Sequence, residues 1–253
     1  MVKETINKWL VEQGLIKNNY KGNLIPAVGG IFFILGSIFY WMFLIKTITV
    51  NKIMIFKYMY LTLVIGSAGL IDDVLGKKNY QGFSGHFSRL ISGKITTGLF
   101  KAVTSLIAVY LVIDKSQNYL IQLIEIIIVL LMTNFINLLD LRPGRAVKFF
   151  ILISLILIVS QNYLYIYFMP LYLITIVYLP YELKGKIMLG DTGSNTLGVI
   201  LGYSFIIDRT FSEKLVVLFL LIILTALSEK YSFSKVIAEN KILNWFDYLG
   251  RRS

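Results

Sequence analysis

The chain contains no cysteine, a single histidine, four prolines and only 15% charged residues. Without cysteine there can be no disulfide scaffold, cysteine nucleophile, thiolate zinc site or iron–sulfur cluster. One histidine, His86, excludes a multi-histidine metal cage within the chain; it can serve as a general base or meet lipid headgroups, and spacing assigns it no partner. The scarcity of charge, set beside 57% hydrophobic residues and a mean hydropathy of +0.73, argues against a soluble domain. A chain of 253 residues with this composition is better counted in membrane spans, each needing about 20 residues. Nucleic-acid binding is therefore a poor use of the +11 net charge, which suits loops facing anionic lipid or a phosphate-bearing substrate.

Long apolar runs lie at residues 27–45, 53–71, 95–113, 119–139, 147–159, 163–179, 196–207 and 215–227. They predict an all-α, polytopic membrane bundle of about eight segments, organised as one domain over 1–253, with the bundle at 27–228 between terminal segments 1–26 and 229–253. The break Ser160-Gln161-Asn162 separates the fifth segment from the sixth. With a cytoplasmic N-terminus, inside segments hold 18 Lys and Arg against five in outside loops, a strong positive-inside bias. Lys57 and Lys101 lie within spans near their ends, where long basic chains can snorkel to the headgroups. Residues 1–20 lack the features of a signal peptide, and Ile6, Trp9, Leu10 and Gln13 have the spacing of an amphipathic helix; residues 231–252 read the same way.

Polar residues interrupt this pattern in three places, all on the predicted cytoplasmic face. At the end of the second span stand Asp72 and Asp73. Adjacent anions at a low-dielectric boundary repel each other and call for a cation, and hard oxygen ligands on a short stretch suit Mg²⁺; the alternative is a helix end with two solvated acids. Asn134, Asn137 and Asp140, three apart, form a polar stripe at the end of the fourth span, suited to phosphate, sugar hydroxyls or interhelical hydrogen bonds. Arg142 and Arg145 follow in a turn, where their guanidiniums can meet phosphate or simply satisfy the charge bias. The third place, Gly190-Asp191-Thr192-Gly193-Ser194-Asn195, opens the seventh span; its free amides can cradle an anion. A weaker element is Lys21, near Ile25-Pro26-Ala27-Val28-Gly29-Gly30, which can face a phosphate or lipid.

Ile25-Pro26-x-x-Gly29-Gly30, Asp72-Asp73-x-x-Gly76, Asn134-x-x-Asn137-x-x-Asp140 and Gly190-Asp191-x-Gly193-Ser194, in this order and over about residues 18–205, resemble the polyprenyl-phosphate N-acetylhexosamine-1-phosphate transferases of glycosyltransferase family 4. The resemblance implies a bacterial plasma-membrane enzyme with its site and both termini cytoplasmic. Such an enzyme moves a sugar 1-phosphate from a UDP-linked amino sugar to undecaprenyl phosphate, releases UMP and depends on Mg²⁺, in cell-wall or envelope glycan synthesis. It further implies that Asp72, Asp73 and Asp191 are catalytic, that Asp191 and Asp72 hold the metal, and that Asn134, Asn137, Asp140, Lys21, Arg142, Arg145 and Ser194 bind substrate. Partners would be the lipid phosphate, the nucleotide diphosphate sugar and the bilayer, with a homodimer left open.

Departures mark a divergent, shortened branch. The family continues from Asp140 as Asp-Gly-x-Asp-Gly-Leu-Ala, whereas this chain reads Asp140-Leu141-Arg142-Pro143-Gly144-Arg145-Ala146, with Pro143 in place of an acid; the family's histidine-rich loop is missing. Two other readings stay open from the residues: a non-catalytic relative binding lipid phosphate or nucleotide, and a small-solute transporter.

Overall fold

The computed structural model describes residues 15–47, 51–76 and 96–251. The expected amphipathic helix over 1–20 falls almost wholly outside these residues, as do His86 and the first residue of the third apolar run.

A two-stranded antiparallel hairpin, β1 (Ile16–Asn18) and β2 (Leu24–Pro26), leads into ten helices among the described residues. These are α1 (Gly29–Thr47), α2 (Lys52–Leu75), α3 (Thr97–Val112), α4 (Tyr119–Leu139), α5 (Arg145–Ser160), α6 (Tyr165–Leu183), α7 (Gly190–Ile206), α8 (Phe211–Lys230), α9 (Phe233–Glu239) and α10 (Lys241–Tyr248). The first eight coincide with the eight apolar runs, and the fold is an all-α membrane bundle. Five stretches, Gly29–Thr47, Lys52–Leu75, Tyr119–Leu139, Asn162–Leu183 and Phe211–Ser228, are long and apolar enough to cross a membrane by themselves. The others, α3, α5 and α7, have 16, 16 and 17 residues. At 1.5 Å per residue they reach only about 24–26 Å, short of a hydrocarbon core of roughly 30 Å.

Local chemistry sets the boundaries. Asn51, Thr96 and Asn118 accept hydrogen bonds from the first-turn amides of α2, α3 and α4, and Thr210 with Glu213 forms a capping box on α8. Between α5 and α6 the Ser160-Gln161-Asn162 break becomes a short 3₁₀ turn at Asn162–Leu164.

The short helix α7 is the axis of the bundle, packed against α4, α2, α1 and α5 and buried along almost its whole length. A lipid-free position lets it carry Thr192, Ser194, Asn195, Thr196 and Ser204, all buried. Close approach to α4 depends on Gly198, where a Cβ would come within 2.6 Å of the Thr133 Cα.

Two expectations change. The helix read over residues 1–20 does not include residues 16–18, which form β1 of the hairpin before α1. Turn chemistry wins over apolar spacing here: the Asn19 Oδ1 accepts from the amides of Lys21 and Asn23, both at 2.9 Å, and Gly22 adopts φ +82°. The C-terminal amphipathic stretch is two helices, α9 and α10, divided at Asn240, whose side chain caps α10 through the amides of Ile242 and Leu243.

Candidate functional site

Five segments, β1, α2, α3, α4 and α7, bring side chains together where α2 and α4 end and α7 begins. Asp73, on the last turn of α2 and 3% exposed, faces the first turn of α7. Its carboxylate accepts from the Asp191 amide (3.2 Å), the Thr192 amide (2.9 Å), the Thr192 hydroxyl (2.8 Å) and the Lys17 ammonium (2.9 Å). Asp73 thus does from another helix what an N-cap residue does from its own, satisfying orphan amides and complementing the positive end of the α7 dipole. Gly190 makes the approach feasible: it sits at φ +71°, and a Cβ there would lie 2.7 Å from the Asp73 Oδ2.

Asp72 is one residue earlier, about 100° round the helix, and points to a different partner. Its Oδ2 lies 3.0 Å from the Lys101 ammonium of α3, and the same ammonium lies 2.5 Å from the Asp191 Oδ2. Two carboxylates from α2 and α7 therefore come within reach of one shared cationic centre. Asp140, the C-cap of α4, has the Gly190 amide against its carboxylate. Burial raises the Asp140 pKa well above the ordinary carboxylate range, and Glu182, Asp191 and Asp73 push it further the same way. This corner of the molecule is short of positive charge.

The remaining sequence-predicted residues divide. Asn137 is brought into the cluster, its Oδ1 accepting from the Ser194 hydroxyl at 2.8 Å; that hydroxyl is buried and also donates toward the Gly190 carbonyl, 2.9 Å away. Asn134 lies one turn further into α4, half-buried. Lys21 and Arg142 flank the Tyr20 ring, at 5.7 and 4.8 Å from its centre, so the hairpin and the α4–α5 turn face one another. Arg145 lies apart from the cluster: it is 6% exposed and engaged by Asp247 of α10, through Nε at 2.9 Å and Nη2 at 3.0 Å.

Lys101, Lys17, Thr192 and Asp247 were not singled out as site residues from the sequence. Lys101 carried a usable signal, since a lysine one turn inside an apolar helix with no acid on that helix needs a partner from elsewhere. Lys17 and Asp247 carried none, because both sit among other charges in segments that read as surface helices.

The family model for glycosyl transferase family 4 matches residues 55–208. That span takes in Asp72, Asp73, Lys101, Asn134, Asn137, Asp140, Arg142, Arg145, Asp191 and Ser194, and leaves out the hairpin, α1 and the last three helices. The comparisons with curated proteins and with solved structures give no match.

Proposed function

The chain belongs to glycosyl transferase family 4, a family of membrane transferases that act on polyprenyl phosphate, and from that premise we propose that it moves a sugar 1-phosphate from a nucleotide diphosphate sugar to that lipid phosphate at the end of the bundle bearing Asp72, Asp73, Asp140 and Asp191. The observation that supports this reading best is the shared reach of Asp72 and Asp191 around one cationic centre at the α7 N-terminus.

An oxygen of the lipid phosphate attacks the phosphorus that bears the sugar. The bond from that phosphorus to the bridging oxygen breaks, and the nucleoside monophosphate leaves with the electron pair; for a UDP-sugar the product is UMP. The nucleophile is already an anion at neutral pH, so the work left to the protein is alignment and charge neutralisation. Asp73 fixes the first turn of α7 and with it Asp191. Asn137 holds Ser194 and hence the same turn, while Lys21 and Arg142 offer cationic groups at the rim.

The donor set suits Mg²⁺. Among the described residues no three His, Asp or Glu side chains form a ready metal cage, and Mg²⁺ is commonly held by one or two carboxylates with water and substrate phosphate completing its shell. Asp72 and Asp191, which share the Lys101 ammonium, would hold it, and it would supply charge neutralisation and polarisation of the diphosphate oxygens. The charge bias of the loops supports a cytoplasm-facing site in a bacterial plasma membrane, and the resemblance of the motifs supports an N-acetylhexosamine donor in envelope glycan synthesis. Pro143, in place of a family acid, makes the nucleotide the feature most open to change.

Purified chain in detergent, given Mg²⁺, undecaprenyl phosphate and a panel of radiolabelled UDP-, CDP- and GDP-sugars, should yield lipid-linked sugar phosphate with at least one donor. Absence of transfer from every donor by correctly folded protein would overturn the proposal.

A further inference from the structure

The family match ends at residue 208, yet the chain beyond α8 folds back on the middle of the matched region. Asp247 in α10 is 6% exposed. Besides the two bonds from Arg145 it accepts two from Arg251, at 3.1 and 2.6 Å. The two guanidiniums hold its pKa below the ordinary carboxylate value, against the upward push of burial. Lys148 of α5 donates to the carbonyls of Phe246, Asp247 and Leu249 at 2.8, 2.7 and 3.2 Å, closing the C-terminal end of α10. The Arg251 Nε donates to the Pro143 carbonyl at 2.9 Å, the Arg145 Nη1 donates to the Ser234 hydroxyl at 3.1 Å, and the Phe233 ring meets Phe135 edge-on at 5.8 Å. The contacts to Pro143, Arg145 and Lys148 fall on or beside the turn joining α4 to α5, and Phe135 lies in α4 just before it.

That turn starts at Asp140, which touches the α7 N-terminus, and carries Arg142, which lies on Tyr20. Its own residues do little to fix it: Gly144 sits at φ +75°, and α5 begins with no side-chain cap. The Glu182 carboxylate of α6 takes the Gly144 amide and the Gly190 amide meets Asp140; the groups that grip the turn at Pro143, Arg145 and Lys148 come from α9, α10 and the residues after them. A bidentate guanidinium–carboxylate pair is demanding in geometry, and a buried ionic contact of this kind specifies register better than it adds stability. On the other side of α10, Ile242, Trp245 and Tyr248 are 78%, 65% and 63% exposed, a face suited to the bilayer interface.

We propose that residues 233–251 form a strap that sets the position of the 140–145 turn, with Asp247 as a positioning residue for binding the nucleotide sugar; this rests on the transferase reading above. Arg145 is then the strap's anchor, and Asp140 and Arg142 are the groups it holds in place for the substrate.

Steady-state transfer by the full chain in detergent tests this with D247N and D247E, alongside hydrogen–deuterium exchange across 140–148. In D247N the KM for the nucleotide sugar should rise by about tenfold, the scale typical of lost supporting contacts. The KM for polyprenyl phosphate should stay near its wild-type value, and exchange across 140–148 should accelerate; D247E should recover part of both effects. The proposal is overturned if D247N keeps the wild-type KM and loses activity only in step with its folded fraction, or if exchange across 140–148 is unchanged. A gain in nucleotide-sugar affinity, expected if freeing Arg145 gave it to the phosphate, also overturns it. Wild-type protein inactive with every donor would sink the transferase reading instead, and the exchange measurement would then decide the strap alone.

Discussion

The two ends of the helical bundle handle charge in opposite ways. At the end where α7 begins, Asp72, Asp73, Asp140 and Asp191 crowd together with the ammonium groups of Lys17 and Lys101 between them. At the other end the buried acid has a cation of its own. Glu125 and Lys214 form a buried pair at 2.6 Å, Arg209 meets Glu213 at 3.1 Å, and Asp208 accepts from the Tyr163 hydroxyl at 2.7 Å. A buried carboxylate without its own cation costs stability unless something else brings positive charge. The matched end holds helices together, and the acid-rich end is the one proposed above to receive the substrate.

The largest break in this comparison should come from D191N. Transfer should fall by roughly 10³-fold, the scale of losing one preorganised electrostatic group, while the melting temperature stays level or rises because a crowded anion has gone. The mirror experiment is E125Q at the matched end. Leaving Lys214 buried and unpaired should cost about 3–5 kcal/mol of stability, read from denaturant unfolding in detergent, with activity per folded molecule unchanged. K101M sharpens the contrast from the other side. With the bridging ammonium removed, Asp72 and Asp191 should make the melting temperature more dependent on added Mg²⁺ than in wild type, and a shift no larger than the wild-type one would count against the shared centre. The smallest effect should follow T210A, which removes the capping box of α8 and should lower stability by about 1 kcal/mol without altering transfer.

Much of the fold was legible because lipid imposes a simple rule. Every one of the eight apolar runs is a helix, and the Ser160-Gln161-Asn162 break falls where α5 gives way to a 3₁₀ turn and α6. The acids of the site stood out for the same reason, as polar residues interrupting apolar helices near their ends. What stayed hidden depends on partners far away in the chain. Arg145 reads as a phosphate ligand in a basic turn, but its actual partner is Asp247, 102 residues on, in a segment whose many charges gave no reason to single that acid out. Asp73 looks equivalent to Asp72 in sequence, yet it caps α7 while Asp72 faces Lys101, a difference set by the angle between neighbouring residues on a helix. At residues 16–18 the apolar spacing read as helix loses to the strand pairing with 24–26. Asn19 and Gly22 are turn formers, and the chain reverses there.

The central claim, that the acid-rich end holds one divalent cation between α2 and α7, is tested most directly by Mn²⁺ binding followed by electron paramagnetic resonance on purified protein. Wild type should bind one ion tightly per chain, D72N and D191N should each lose it, and E125Q should retain it. Failure of wild type to bind the ion, or binding that survives both D72N and D191N, would contradict the account.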